Sequence, residues 1–207
     1  MTAPLRLTDR KRRAILDAAA DQFRAFGFEA TSMDKIAALA GVSKRTVYNH
    51  FPSKDELFAE TLMQLFHTAA AIMDLPYRSE TPLRAQLTEL VTLKVAMMAD
   101  QNFMELSRVA IAEAVHTPER ARAIMARLGE REEGVTAWIR AAQADGRLKP
   151  GDPAWAASLL QGQVKAVGFW PQVAMGVPAL DAIAQAQLVE ASVSMFLAYF
   201  AQEKHTA

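Results

Sequence analysis

Residues 31–58 constrain the fold of this chain more than any other stretch, because they describe two short helices joined by a tight turn. Thr31 fits the N-cap of the first helix, in which Ile36 and Ala37 supply a buried side. Gly41 follows and offers the positive φ that a tight turn needs at low steric cost. The spacing therefore predicts a helix, a turn and a second helix.

The second helix of this pair is predicted to display hydrogen-bond donors. Ser43 can cap it, and Val47 and Phe51 face inward. The side chains left facing outward are Lys44, Arg45, Thr46, Tyr48 and Asn49. A donor-rich helix after such a turn is typical of a helix-turn-helix, whose second helix enters the major groove of DNA.

A third helix is predicted to begin near Lys54. Pro52 ends the preceding helix, and Ser53 and Glu56 have the spacing of a capping box. Lys54 then stands at a helix N-terminus, where amide groups and an ammonium group together favour a phosphate.

Residues 9–66 resemble the DNA-binding domain of the TetR family of bacterial transcriptional regulators. The match is ungapped and includes the Tyr-x-His-Phe run that ends at Phe51 and the Ser-Lys-x-x-Leu-Phe run that ends at Phe58. The resemblance implies phosphate contacts from Thr31, Ser43, Tyr48, His50 and Lys54. It also implies base-edge contacts from Arg45, Thr46 and Asn49, with Lys44 able to serve either role.

Composition predicts an all-α protein, and the length of the chain is enough for one or two packed domains. Hydrophobic residues make up 51% of the chain, and alanine and leucine outweigh the β-branched residues. We expect a helix-turn-helix DNA-binding domain in residues 1–53 and a helical effector-binding and dimerisation domain in residues 54–207, with about nine helices in all. The absence of cysteine excludes disulfides and thiolate metal sites.

Charge is unevenly distributed although the formal net charge is zero. Residues 1–54 carry ten Lys/Arg against five Asp/Glu, so residues 55–207 carry a compensating negative charge. The basic residues 1–54 attract DNA phosphates, whereas the acidic residues 55–207 do not bind DNA non-specifically. Arg6 and the basic run 10–13 either reach a phosphate strand or the minor groove, or form a solvated tail.

Capping residues followed by proline mark where helices begin in the rest of the chain. A helix from Lys54 to about Met73 is followed by Thr81-Pro82, Thr117-Pro118 and Asp152-Pro153, each of which places a cap before a proline. The predicted helices are 82–99, 102–115, 118–145, 153–169 and 180–201. We assign the charged clusters of helix 118–145 to a solvated face. The Ala-Asp-Gly-Arg-Leu-x-x-x-Asp-Pro turn that follows resembles the AefR-like subgroup of C-terminal domains.

The last two predicted helices are apolar on more than one face, which exceeds the single stripe that one core requires. The simplest account is a two-fold homodimer in which these helices meet their symmetry mates, and the family resemblance implies the same. A thicker monomer core is the alternative. A dimer places two recognition helices about 34–36 Å apart and predicts a palindromic operator.

The body also carries a surplus of methionine and aromatic side chains, which suits a small hydrophobic or aromatic effector. Such residues belong to a core more often than to a pocket, but the resemblance implies an inducer cavity. The candidate ligand-binding residues are Met63, Phe66, His67, Met97, Met98, Phe103, Met104, Trp138, Gln163 and Trp170, with Met125 as a further soft group.

No catalytic motif is present in the sequence, so we expect a regulator and not an enzyme, with no cofactor and no metal. The apolar runs, including the one ending at Phe200, are judged too short and interrupted to span a bilayer, which favours a cytoplasmic protein. Two functions remain: a repressor released by a small effector, or a regulator that is constitutive or controlled by a partner protein.

Overall fold

The computed structural model of this protein describes residues 7–128 and 134–202 and is all-α over these ranges. An isolated bridge between Leu148 and Ala201 is the only β geometry that they contain. The helices are α1 (Leu7–Ala30), α2 (Met33–Leu39), α3 (Lys44–His50), α4 (Lys54–Ile72), α5 (Leu83–Ala99), α6 (Gln101–His116), α7 (Pro118–Leu128), α8 (Gly134–Ala144), α9 (Pro153–Gly168), α10 (Trp170–Met175) and α11 (Ala182–Phe200).

The predicted fold class is confirmed, and the differences lie in how the body is divided. The predicted helix 118–145 corresponds to α7 and α8, with residues 129–133 outside the described part of the chain. A short helix, α10, follows α9 directly and was not predicted.

The chain forms two compact units. The first comprises the described residues of Met1–His67 together with Glu105–Leu128, and the second comprises those of Thr68–Met104 and Gly129–Ala207. α4 and α6 each contribute residues to both units. The expected domain boundary between residues 53 and 54 stays a prediction.

An aromatic cluster lies in the core of the first unit. The rings of Phe23, Phe28 and Phe58 are buried, and the centroid distances from Phe58 to the other two are 4.9 and 5.0 Å. Gly27 makes this packing possible because its φ of 74° kinks the end of α1. The chain therefore turns at the predicted glycine, and Phe28 enters the core directly after it.

Side-chain caps define several helix starts, as the sequence predicts for Ser43, Ser53 and Asp152. Two predicted caps are wrong. α2 is capped by Ser32, whose hydroxyl accepts from the amide of Lys35, and not by Thr31. α5 starts at Leu83 with Pro82 in the cap position and no side-chain cap from Thr81.

The second unit is built on α5, α9 and α11, which pack against one another, with α8 against α9. α9 and α11 are apolar on two faces, as predicted. One face is buried and includes Leu160, Val164, Leu188, Val193 and Phe196. The other is exposed and includes Trp155, Leu159, Val167, Ile183, Met195 and Tyr199.

The last apolar run forms α11, and among the described residues it is the one helix that meets the length and composition criteria for a membrane span, which alone is weak evidence for one. α11 has 19 residues and a mean hydropathy of 1.2, so by length and composition alone it is long enough to cross a membrane. Because α11 packs against α5 and α9, its composition has a second explanation as a core helix.

The turn after α8 holds the loop between α4 and α5. The guanidinium of Arg147 donates to the carbonyl oxygens of Ser79 and Thr81 at 2.6 and 3.0 Å. The hydroxyl of Tyr77 donates to Asp145, and burial together with this hydrogen bond raises the pKa of Tyr77. The turn that resembles AefR-like proteins therefore has a structural role.

Gln86 completes this arrangement from inside the core. Its amide oxygen accepts from the backbone amide of Arg78 at 2.8 Å and from the indole of Trp138 at 3.2 Å. Its amide nitrogen donates to the carbonyls of Arg78 and Thr81, both at 2.8 Å. Gln86 is 2% exposed, so it satisfies four backbone or side-chain groups away from water.

Gln86→Leu should lower the free energy of unfolding by about 2–3 kcal/mol, because it leaves buried donors and acceptors unpaired. Urea unfolding followed by circular dichroism at fixed protein concentration measures the change. Gln64→Leu is the same chemical change at an exposed position of α4 and should stay within about 0.5 kcal/mol of wild type. Equal effects from the two variants would contradict this role.

Candidate nucleic-acid interface

α2 and α3 form the predicted helix-turn-helix. Gly41, with a φ of 65°, lies in the turn between them. Ser43 then caps α3 by accepting from the amide of Thr46 at 3.1 Å, and the two hydroxyl oxygens lie 2.8 Å apart. Val47 and Phe51 are buried, as predicted. The inward side of α3 is thus fixed to the core, which leaves its other side for recognition.

The outward side of α3 offers unpaired polar groups. Arg45 and Asn49 are exposed, and neither has a partner among the residues that the structure describes. Tyr48 is also exposed, at 43%. Arg45 and Asn49 are four residues apart and so lie one above the other on the helix surface. Guanidinium and carboxamide groups in this position can reach base edges in a major groove.

Lys44 and His50 flank this surface at the two ends of α3. The ammonium of Lys44 lies 2.8 Å from the carboxylate of Asp34, which raises the pKa of Lys44. His50 occupies the last turn of α3, half-buried, with its ring 6.2 Å from that of Phe51. Both side chains therefore stand at the surface of the helix-turn-helix.

Thr31 does not have the free hydroxyl that a phosphate contact requires. It is 3% exposed, and its hydroxyl oxygen lies 2.7 Å from the carbonyl of Gly27 and 3.1 Å from that of Gln22. A buried hydroxyl that donates to a backbone carbonyl holds the corner between α1 and α2.

Lys54 begins α4, as predicted, and its ammonium serves the end of α1. It donates to the carbonyl of Phe28 at 2.8 Å and to that of Glu29 at 3.0 Å, and it lies 4.4 Å from the centroid of the Phe28 ring. The last carbonyls of a helix lack intrahelical partners, so a cation there satisfies them. One of the three ammonium protons is left for a phosphate.

The basic segment at the start of α1 is only partly free. Arg10, Lys11 and Arg13 are exposed, and no partner is found for them in the described ranges. Arg12 instead pairs with Glu60 of α4 and lies 5.1 Å from the Phe51 ring centroid. Arg6 lies outside the described residues. Glu60 is 48 residues from Arg12 in the sequence, so no local pattern could predict this ion pair.

The candidate effector residues fall in both units. In the first unit, Met63 and Phe66 are half-buried and His67 is exposed. In the second, the core contains Met98, Trp138, Phe103 and Met104, all buried. Met97 is half-buried, Trp170 is exposed, and the side-chain oxygen of Gln163 is buried without a hydrogen-bond partner. The side chain of Met125 is outside the described part.

A small cleft that is open to solvent lies in the second unit and has about 10 Å³ of accessible space, roughly that of one water molecule. It is lined by Val95, Met98, Ala99, Gly168, Gln172, Leu180 and Gln185. Met98 is the one candidate effector residue among them. Trp138 instead belongs to the hydrogen-bonded core around Gln86. In residues 7–128 and 134–202, no group of three or more His, Asp or Glu side chains is placed to hold a metal ion.

Lys54→Met should lower the free energy of unfolding by about 1 kcal/mol, because the end of α1 loses a donor. It should also weaken binding to all DNA sequences alike and reduce the slope of log K against log salt by about 0.9, through its remaining proton. Urea unfolding and fluorescence anisotropy at several salt concentrations measure the two effects. Lys35→Met, at an exposed position of α2, is the stability control. An unchanged salt slope would leave Lys54 with the helix-end role alone.

Comparison with known proteins matches both parts of the chain. The family model described as bacterial regulatory proteins, tetR family, matches residues 15–61, and that of the AefR-like transcriptional repressor, C-terminal domain, matches residues 85–202. The HTH-type transcriptional regulator RutR of Escherichia coli K12 is 31% identical over 153 residues, covering 72% of this chain and 69% of that protein.

Solved structures agree with these matches. A TetR family transcriptional regulator from Pseudomonas syringae pv. tomato DC3000 has a TM-score of 0.82 and 47% identity, covering 95% of this chain and 100% of the other. The Flavonoid-responsive Regulator FrrA has a TM-score of 0.70 and 28% identity, covering 94% and 99%. The α2–α3 geometry and these matches together identify the chain as a member of the TetR family of DNA-binding transcriptional regulators.

Proposed function

We propose that this regulator is a cytoplasmic repressor that binds a palindromic operator as a homodimer and is released by a small hydrophobic or aromatic effector. The observation that carries the proposal is the outward side of α3, where Arg45 and Asn49 stand exposed and unpaired above a fixed inner side. The match of residues 85–202 to a repressor C-terminal domain supports repression over activation. Catalysis is not proposed, because the related proteins are regulators.

We assign direct base readout to Arg45, Thr46 and Asn49. Phosphate contacts are assigned to Ser43, Tyr48, His50 and Lys54, with Lys44 available for either role. Phosphate contacts set the register of the protein on DNA, whereas contacts with base edges carry sequence information. Because the hydroxyl of Thr31 is buried and hydrogen-bonded within the protein, it is left out of the interface.

The exposed faces of α9 and α11 support the homodimer. Trp155, Leu159 and Met195 are large apolar side chains that a monomer would leave in water. Gly162 lies on the same side of α9 as Trp155 and Leu159, and no atom lies within 4 Å of where its Cβ would be. A small residue among large ones lets two helices cross closely. A four-helix interface would cover these faces and set two copies of α3 about one turn of DNA apart.

An effector that binds better to one spacing of the two recognition helices would shift the population away from the operator-bound form. Such coupling is typically about 1–3 kcal/mol. The cleft beside Met98 has about 10 Å³ of accessible space, far below the roughly 300–1,000 Å³ of ordinary ligand sites, so binding there requires the surrounding side chains to move. The name of FrrA, a flavonoid-responsive relative, supports an aromatic effector. A regulator that is constitutive or controlled by a partner protein is the alternative.

Genomic fragments retained by the purified protein at physiological salt should share a two-fold symmetric site. Asn49→Ala should relax the preference at one base pair per half-site by roughly 1–3 kcal/mol. Tyr48→Phe, which removes a proposed phosphate contact, should weaken all sites alike.

Sequencing of retained fragments, repeated with flavonoids and other small aromatic compounds added, checks both DNA binding and release. An asymmetric site would contradict the dimeric operator, and retention indifferent to every compound would favour the alternative.

Gly162→Glu should convert the dimer to a monomer without loss of helix content, because the new side chain has open space within one protomer but none in a helix crossing. Analytical ultracentrifugation and circular dichroism measure the two properties. Ala137→Glu, at an exposed position of α8, introduces the same charge as a control and should leave the dimer intact. A dimeric Gly162→Glu variant would move the interface away from α9.

A further inference from the structure

Arg120, in the first turn of α7, is set into the first unit although it belongs to a charged segment. Its side chain is 19% exposed, and its Nε donates to the carboxylate of Asp55 at 2.8 Å. The same guanidinium pairs with Glu113, a residue of α6 that is buried. The Arg-Glu-Glu cluster of residues 131–133, which is expected on a solvated face, lies outside the described residues.

The guanidinium of Arg120 also lies over an aromatic ring of the helix-turn-helix core. Its central carbon is 4.0 Å from the centroid of Phe28, within cation–π distance. Phe28 follows the kink that ends α1, and its carbonyl accepts from Lys54, the first residue of α4. At this one point α7 therefore contacts both the end of α1 and the start of α4.

A second contact holds α7 two turns further on. Arg127 lies 3.3 Å from the carboxylate of Glu56 and 2.5 Å from that of Glu60, and Glu60 also pairs with Arg12 of α1. Arg120 and Arg127 both attach to the first two turns of α4, the helix that follows the recognition helix.

The contacts that Arg120 makes differ in strength. Asp55 is 60% exposed, so its pair with Arg120 is screened by water and is weak alone. Glu113 is 11% exposed at its side chain, and loss of Arg120 would leave its charge buried and unpaired. The ring of Phe28 is 3% exposed, which strengthens the cation–π contact. Arg120 thus holds α7 to the first unit mainly through Glu113 and Phe28. Its weaker pair with Asp55 is the contact that reaches the start of α4.

We propose that Arg120 is a positioning residue for DNA recognition, which orients the start of α4 and the end of α1 and thereby α3. The connection to α3 is short: Phe51 caps α3 by donating its amide to Val47 at 2.9 Å, and α4 begins three residues later. The DNA-binding unit of this chain accordingly ends with α7 and not with α3. The proposal rests on DNA binding by α3, but it assigns Arg120 no contact with DNA.

The test uses single variants of the full-length protein and a double variant. Arg120→Met removes the guanidinium, and Asp55→Asn removes its exposed partner. Arg122→Met is the matched control, because it removes the same charge from α7 at an exposed i,i+3 pair with Glu119. Two quantities are measured: backbone amide hydrogen exchange in the free protein, and the ratio of affinities for a selected operator fragment and a scrambled fragment.

If Arg120 positions α3, Arg120→Met should lower the affinity ratio about fivefold to tenfold. Asp55→Asn should lower the ratio by less than Arg120→Met does, because its ion pair with Arg120 is screened by water. The double variant should be no worse than Arg120→Met. A direct charge effect of Asp55→Asn would raise the affinity for both fragments and leave the ratio unchanged, since it removes a negative charge from a DNA-binding unit. A role in stability alone would reduce binding to both fragments equally and leave the ratio unchanged. Either of these results would overturn the proposal.

Hydrogen exchange separates this proposal from the proposed repressor function, since it needs no DNA. Amides in α3 and in the first turn of α4 should exchange faster in Arg120→Met and Asp55→Asn, and at the wild-type rate in Arg122→Met. Unchanged exchange in α3 would refute the coupling even if an operator is found. Faster exchange without any selected operator would keep the coupling and refute the operator. If Arg120→Met fails to fold, Asp55→Asn carries both measurements, because its side chain is exposed.

Discussion

Burial of Phe28 is the contact on which the DNA-binding unit depends. Its ring packs against Phe58 of α4 and Phe23 of α1, and its backbone carbonyl accepts from Lys54. The ring reaches the core only because Gly27 takes a positive φ that another residue would adopt with strain. One glycine and one phenylalanine thus set where α1 kinks and how its end packs against α4.

Features decided by nearby residues were accessible from the sequence. Ser43, Ser53 and Asp152 cap helices whose first amides lie two or three residues away, and Gly41 makes its turn through its own φ. Local hydrogen bonding and backbone sterics are written into short spacings, which is why the helix-turn-helix and most helix limits could be predicted.

Features decided by distant partners were not accessible. Lys54 resembles a phosphate ligand in its local context, yet its ammonium also completes a helix that ends 24 residues earlier in the chain. Thr31 caps no helix because its hydroxyl is hydrogen-bonded to carbonyls of α1, those of Gly27 and of Gln22, the latter nine residues earlier. Arg120 belongs to a charged segment, and only the fold brings Glu113 and Phe28 to it. For the body, periodicity identified apolar side chains but could not divide them between core and surface: Met98 is buried, whereas Trp170 is exposed.

The ion pairs of α7 and α4 have a consequence for how salt titrations of this regulator are interpreted. Dissolved ions screen pairs such as Arg127 with Glu56 and Arg120 with Asp55, which are partly exposed, as well as contacts between protein and phosphate. If salt also loosens the fold of the DNA-binding unit, the slope of log K against log salt becomes steeper than the released counterions alone would make it. The number of phosphates counted from such a slope would then be larger than the number that the protein touches.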